Sequence, residues 1–253
     1  MRFKFLDLLL FALLFIFVTS FPIDLITTNE YVRLGIRIAL RSLLLAYDIY
    51  ILWKNRINIF KFANYRNVGL FIPFILICFS NIFAALFAGS NFVLNVEPLR
   101  LVLVIIYYLL GVILEEFLFR LFIHSSLVYA SSIKRIVVSA AIFALFHLLN
   151  IVNISQVDQL VAVLTQVVYA FGLGLLLGLI YEYTYSLPAC IIFHFLFNFF
   201  NKIFVNEIYL TTLTPTYELS YYMTALGVGV IIGVYALLIY LFILRKHERY
   251  FRQ

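Results

Sequence analysis

Eight apolar runs, each close to the length of a membrane-spanning helix, follow one another along this chain. They lie near residues 5–21, 34–53, 69–88, 101–123, 135–150, 160–183, 187–205 and 221–244. A helix that crosses the hydrocarbon core needs about 20 residues, so eight of them use about 160 positions. The composition supplies them, because 65% of the 253 residues are hydrophobic and only 12% are charged. The sequence therefore predicts an all-α bundle of about eight transmembrane helices.

This composition excludes several classes of protein. Soluble domains carry about 25% charged residues, so a soluble enzyme and a nucleic-acid-binding protein are both excluded. We expect one integral membrane domain over residues 1–253, with the lipid bilayer as its surroundings. Cys78 and Cys190 lie in apolar runs and predict neither a disulfide nor a thiolate metal cluster. The first run resembles a signal peptide, but Phe21-Pro22 interrupts the cleavage position, which favours an uncleaved first helix.

The placement of basic residues predicts the orientation. Twelve of the 18 lysines and arginines lie on the side where the first run begins and the last run ends: Arg2, Lys4, Lys54, Arg56, Lys61, Arg66, Lys134, Arg135, Arg245, Lys246, Arg249 and Arg252. Cytoplasmic loops are enriched in basic residues, so both termini are predicted to be cytoplasmic. The turn at 183–187 should also be cytoplasmic, although it carries no cation. The composition suggests a bacterial plasma membrane.

Two further patterns have mainly structural interpretations. Glycines repeat as G-x-G-xxx-G at 172–178 and at 227–233, a spacing that lets membrane helices approach closely. Arg33, Arg37 and Arg41 form a stripe at the start of the second run. We expect these arginines to extend toward the membrane surface rather than into a water-filled cavity.

The fourth run contains two adjacent carboxylates, Glu115 and Glu116, among apolar neighbours. Ionisable groups within a membrane helix are costly and are therefore functional candidates. Arg120 follows Glu116 by four residues, so the two lie on one helix face and can form an ion pair. Glu115 points about 100° away and is left without this cation. Taken alone, this run is compatible with two interpretations: Glu115 is a general base, or the ion pair is structural and Glu115 is an additional carboxylate without a role.

Two later runs also contain polar groups. The fifth run ends in Phe143-xxx-His147, and the seventh contains His194-xxx-Asn198, whose members share one helix face. At a rise of about 1.5 Å per residue, Glu115 and the two histidines lie roughly 12–18 Å from the inner boundary. A single water-filled cavity could therefore hold all of these groups.

These three motifs, in this order, resemble the series found in the CPBP family. That family includes type II CAAX prenyl endopeptidases and the Abi proteins of bacteriocin processing and self-immunity. The resemblance covers roughly residues 98–201, which we regard as the protease core. It implies an eight-helix intramembrane endopeptidase of the glutamic type, with a cavity that is open to the cytoplasm.

The resemblance also implies a role for each residue. Glu115 would act as the general base, and His147 would help to hold the nucleophilic water. His194 and Asn198 would donate hydrogen bonds to the oxyanion, a contribution that is typically worth several kcal/mol. The orienting and structural residues would be Glu116, Arg120 and Phe143. No cofactor is expected.

Other mechanisms remain open at this point. Zinc could be bound by Glu115, His147 and His194, although the H-E-x-x-H pattern is missing. A cysteine–histidine pair is conceivable because Cys190 precedes His194 by four residues, but deep apolar burial disfavours a thiolate. Outside the enzymes, a non-catalytic immunity protein would need no intact set of motifs. A transporter would show inverted repeats, which this sequence does not clearly contain.

The predicted substrate is a peptide or protein within or at the membrane, such as a leader peptide or a small precursor. Its hydrolysis is expected near the cytoplasmic face. Prenylated proteins are not expected as substrates in a bacterium. His124 and His247 are interpreted as interfacial, and Asn150 and Glu182 receive no role. No feature of the sequence indicates an oligomeric state.

Overall fold

The computed structural model describes residues 5–60, 63–80, 82–83, 92–94, 97–153, 157–211 and 218–244. In these ranges the chain is almost wholly helical, and its helices are assembled into a bundle. The α-helices are α1 (Phe5–Ser20), α2 (Glu30–Lys54), α3 (Phe74–Cys78), α4 (Pro98–Glu116), α5 (Ser132–Phe146), α6 (Val157–Thr184), α7 (Leu187–Asn198) and α8 (Glu218–Ile239). Arg2, Lys4, Lys61, His247 and the other basic residues of the C-terminus lie outside the described residues.

Four helical stretches in the described ranges are long and apolar enough to cross a membrane. They are Pro98–His124, Ser132–Ile151, Gln159–Thr184 and Leu187–Phe204. Shorter apolar helices cover Leu6–Ser20, Val68–Cys78 and Leu226–Phe242. The prediction of a membrane helix bundle is therefore confirmed, and the chain is a multi-pass membrane protein.

The third predicted run and one short strand pair differ from the expected pattern. In place of one long helix, a 3₁₀ segment at Tyr65–Phe71 precedes the five-residue α3. Pro73 stands between them, and a proline cannot donate the backbone hydrogen bond that a continuous helix needs. An antiparallel ribbon also joins β1 (Phe92–Leu94) to β2 (Tyr209–Thr211), with Val93 opposite Leu210. No alternation in these short segments predicted it.

Three helices lose α geometry where a predicted motif stands. The chain continues α4 as a π-helix over Phe117–His124, and α7 as a π-helix over Phe199–Ile208. The end of α5 tightens into a 3₁₀ segment over His147–Asn153. Such departures from α winding are frequent at functional sites.

Phenylalanine side chains fill the centre of the bundle. Two phenylalanines of α1 contact the Pro98–His124 helix. The ring centroids of Phe11 and Phe122 lie 5.3 Å apart, and those of Phe15 and Phe119 lie 6.5 Å apart. Phe119 also packs edge-on against Phe143 at 5.0 Å. Edge-to-face contacts of this kind add to the stabilisation from burial. They fix α1, α4 and α5 around one apolar core.

Ion pairs between helix ends define two ends of the bundle. The basic end contains Lys54, Arg56, Lys134 and Arg135. There Asp7, at the start of α1, pairs with Lys54 at the end of α2, 3.5 Å away, and Arg135 at the start of α5 pairs with Glu182 near the end of α6.

The opposite end is fixed by its own ion pairs. Arg33 pairs with Asp24 at 2.8 Å, and Arg100 pairs with Glu30 at 3.1 Å. The hydrogen bond from Arg33 lowers the pKa of Asp24 below its usual value. Asp24 therefore stays ionised next to Arg33.

The glycine repeats lie in a close helix–helix contact, as the sequence predicts. A Cβ on Gly172 of α6 would meet the backbone of Gly229 in α8, and a Cβ on Gly229 would lie 2.7 Å from Cα of Tyr169. A Cβ on Gly174 would likewise lie 3.0 Å from Cα of Ala140 in α5. By contrast, a Cβ on Gly227 would have no heavy atom within 4 Å.

This difference predicts opposite effects for two identical substitutions in α8. Gly229→Ala places a methyl group against the backbone of Tyr169 and should destabilise the protein by about 1–3 kcal/mol, the usual cost of overpacking. Gly227→Ala should be neutral or stabilising by up to about 1 kcal/mol, because alanine favours helix. Thermal unfolding in detergent measures both changes. Equal midpoints for the two variants would contradict the packing described here.

Candidate active site

The four predicted catalytic residues line one cavity of about 230 Å³. Glu115 of α4 lies there with His147 at the end of α5, and with His194 and Asn198 of α7. Tyr107, Tyr108 and Gly111 line the wall along α4 toward its start, so a single stripe of this helix faces the cavity. The structure therefore brings together the polar groups of three separate helices.

Glu116 and Arg120 form the predicted ion pair directly beneath the cavity. Arg120 Nε donates to Glu116 Oε2 at 3.1 Å, and both side chains are fully buried. Glu115 points away from this pair, and 27% of its side chain is exposed. The two adjacent glutamates thus have separate surroundings, as the 100° step between neighbouring helical residues requires.

His194 lies between the two glutamates, an arrangement that the sequence did not predict. Its Nδ1 lies 2.8 Å from Glu116 Oε1, and its Nε2 lies 3.6 Å from Glu115 Oε2. A carboxylate oxygen only accepts hydrogen bonds, so with Glu116 ionised the Nδ1 of His194 carries a proton. A separation of 3.6 Å is too long for a direct hydrogen bond, so Nε2 can interact with a third group in the cavity.

The backbone fixes the orientation of His147. Its Nδ1 donates to the carbonyl oxygen of Phe143 at 3.0 Å, because a carbonyl can only accept. In the neutral ring, the lone pair therefore remains on Nε2. The helix changes from α to 3₁₀ winding at His147, and this residue lines the cavity wall.

Phe143 contacts both histidines and the buried arginine. Its ring centroid lies 5.0 Å from that of His147 and 5.7 Å from that of His194, both edge-on. The Arg120 guanidinium lies 5.5 Å from the same ring. One aromatic side chain, 1% exposed, thus separates the cavity from the interior below it.

Arg41 departs from the expectation for the arginine stripe. Arg33 and Arg37 reach Asp24, in the connection between α1 and α2, at 2.8 and 3.9 Å. Arg41, by contrast, lines the cavity: it donates to the carbonyl oxygen of Tyr107 at 2.5 Å and stacks on that ring at 3.7 Å. The prediction was wrong for this residue because α2 packs against α4, and the absent side chain of Gly111 leaves room for the guanidinium.

A second polar cluster lies below the first, toward the basic end. Arg120 Nη1 donates to Ser139 Oγ at 3.3 Å, and His124 Nδ1 lies 3.2 Å from the same oxygen. His124 Nε2 lies 2.7 Å from Glu182 Oε2, and Glu182 also pairs with Arg135. His124, interpreted from the sequence as interfacial, stands at the end of the Pro98–His124 helix and is 2% exposed within this cluster.

One sequence signal could have located this cluster. Glu182 stands next to the turn at 183–187, which carries no cation of its own, so a partner had to come from another loop. Arg135, in the neighbouring connection, is that partner. Asn150, also unassigned from the sequence, donates from Nδ2 to Gln166 Oε1 at 3.1 Å. Both residues line the cavity that contains Glu115.

Neither a thiol nor a metal cluster is found among the described residues that line the cavity. Cys190 is fully buried, and its thiol donates to the carbonyl oxygen of Leu177 at 3.5 Å, away from the residues that line the cavity. Both described cysteines are free. Among the described residues, no group of three or more histidine, cysteine, aspartate or glutamate side chains is arranged to hold a metal ion.

Residues 97–200 match the family model described as Rce1-like, type II CAAX prenyl endopeptidase. No curated protein and no solved structure matched the chain. The match spans all three motifs, from Glu115 on α4 to Asn198 on α7. It confirms the resemblance seen in the motifs and supports a role as a protease. Over this segment, the chain is similar to the CAAX protease family, also called CPBP.

Proposed function

We propose that this protein is an intramembrane endopeptidase of the glutamic type, which hydrolyses a peptide bond without a covalent intermediate. The observation that carries the proposal is the position of His194. Its Nε2 lies 3.6 Å from Glu115, while its Nδ1 is held by the buried Glu116–Arg120 pair. Such an arrangement supplies a carboxylate base and an oriented imidazole on opposite sides of a small space.

In the first step, Glu115 takes a proton from a water molecule as the oxygen attacks the substrate carbonyl. A general base must lie within hydrogen-bond reach of the proton that it removes, and Glu115 faces the cavity. His147 holds the same water through the lone pair of Nε2, since its Nδ1 is engaged by the Phe143 carbonyl. The proton on Glu115 then passes to the leaving amine.

In the same step, negative charge develops on the carbonyl oxygen. His194 in its imidazolium form donates from Nε2, and Asn198, one helical turn further along α7, donates from its amide. With His194 charged, Glu115, Glu116, Arg120 and His194 have no net charge together. Oriented donors in a site that excludes water are worth more than in solution. The Glu116–Arg120 pair acts only by positioning His194.

The surroundings complete the proposal. The chain forms one domain with eight transmembrane helices and cytoplasmic termini, and it resides in a bacterial plasma membrane. Its substrate is a membrane-associated peptide, such as a leader or a small secreted-peptide precursor of the bacteriocin kind, and the reaction needs no metal. The principal alternative is a non-catalytic self-immunity protein.

Loss of the base should abolish proteolysis. Glu115→Gln removes the proton acceptor and keeps the shape, so the rate should fall by about 10²–10⁴-fold. Mass spectrometry of membrane peptides from cells that express either form should show a fragment that depends on Glu115. Glu97→Gln provides the matched control, because this carboxylate is exposed at the start of the same helix.

The immunity alternative makes a different prediction. If the cellular phenotype of the protein survives both Glu115→Ala and His194→Ala, the function does not depend on hydrolysis. Loss of the phenotype in both, with the Glu97→Gln protein active, supports the protease.

The oxyanion role of Asn198 can be separated from its volume. Asn198→Ala and Asn198→Asp should each lower kcat by about 10²–10³-fold, because both remove the N–H donor. The aspartate keeps the size of the side chain. Full activity of the aspartate variant on the identified substrate would show that Asn198 only fills space.

Chelation tests the proposed absence of a metal. Treatment with 1,10-phenanthroline should leave the rate of fragment formation unchanged, since a general-base mechanism here uses only side chains. Inhibition that added zinc reverses would instead favour zinc bound by Glu115, His147 and His194.

A further inference from the structure

Among the described residues, those that line the catalytic cavity extend from Glu115 toward one end of the bundle. The helices run in alternating directions, yet each of them contributes lining residues from its part that is distant from the basic end. These residues are Thr19 and Ser20 at the end of α1, Leu149 and Asn150 after α5, Gln166 in the first half of α6, and Lys202 after α7. We call Ser20, Asn150, Gln166 and Lys202 the cavity mouth.

The path toward the basic end is closed. Glu116 and Arg120 are fully buried beneath Glu115, and Phe143 is 1% exposed. Below this layer lies a separate pocket of about 550 Å³, lined by His124, Glu182 and Arg135 among others. The residues lining this lower pocket do not include Glu115, His147 or His194. A peptide can therefore reach Glu115 through the cavity mouth and not from the basic end.

The charges of the two ends differ. Twelve of the 18 lysines and arginines belong, by sequence, to connections and termini at the basic end. At the opposite end, Arg33 and Arg100 are each paired with a carboxylate, Asp24 and Glu30. Because basic loops remain in the cytoplasm, the basic end is the cytoplasmic end.

From these two observations we propose that the catalytic cavity opens on the non-cytoplasmic face of the membrane. The substrate segment is then one presented at that face, such as the exported part of a membrane-anchored peptide precursor, and not a cytoplasmic tail. The family resemblance implied a cytoplasmic cavity, and the charges predicted cytoplasmic termini. In this fold the two expectations are incompatible, and the charge distribution decides between them.

The statement about the substrate rests on the proposed protease function, whereas the direction of the opening does not. The experiment therefore measures the opening without any need for proteolysis. In a chain with Cys78→Ala and Cys190→Ala, two single reporters are compared: Asn150→Cys at the cavity mouth and Lys134→Cys at the basic end. Both positions are exposed. The host is a bacterium without an outer membrane, and the probe is a membrane-impermeant maleimide.

We expect labelling of the Asn150→Cys protein in intact cells, and labelling of the Lys134→Cys protein only after permeabilisation. The reverse pattern, or equal labelling of both in intact cells, overturns the proposal. Fragment formation by the unlabelled wild type is scored separately. A cavity shown to open outward without Glu115-dependent fragments would therefore reject the protease and leave the direction of the opening intact.

Discussion

The buried ion pair between Glu116 and Arg120 is the interaction on which the site depends. Two charges without access to water are stable only when each is compensated by good geometry and further hydrogen bonds. Here Glu116 accepts from Arg120 on one oxygen and from His194 on the other, while Arg120 also reaches Ser139. The pair thereby connects the helices α4, α5 and α7 at one depth. Removal of either partner would leave the other as an uncompensated charge in the core.

Much of this arrangement follows from spacing in the sequence. Four-residue intervals placed Glu116 with Arg120 and His194 with Asn198, because such residues share a helix face. The glycine repeats likewise predicted close packing, which Gly172 and Gly229 show. Spacing describes which residues share a face, however, and does not state what that face meets. For this reason Arg41 was assigned to the membrane surface, although it stacks on Tyr107 in the cavity.

Contacts between helices account for the rest of the difference. The position of His194 between both glutamates depends on the rotation of α7 against α4, which no local pattern encodes. The burial of His124 depends in the same way on Glu182, 58 residues later in the chain. Changes from α to π or 3₁₀ winding were equally invisible, since no residue spacing in these stretches distinguishes them from a continuing α-helix.

The π-helical stretch after Glu116 has a consequence for how much the length of this chain can vary. In a regular α-helix, deletion of one residue rotates every later side chain by about 100°. Within Phe117–His124, hydrogen bonds already span one residue more than in an α-helix. A deletion between Arg120 and His124 is absorbed by a return to ordinary winding, so the Glu116–Arg120 pair before it and the loop after it keep their places. Related chains are therefore best recognised by fixed intervals inside each motif and a tolerance of one residue just beyond it.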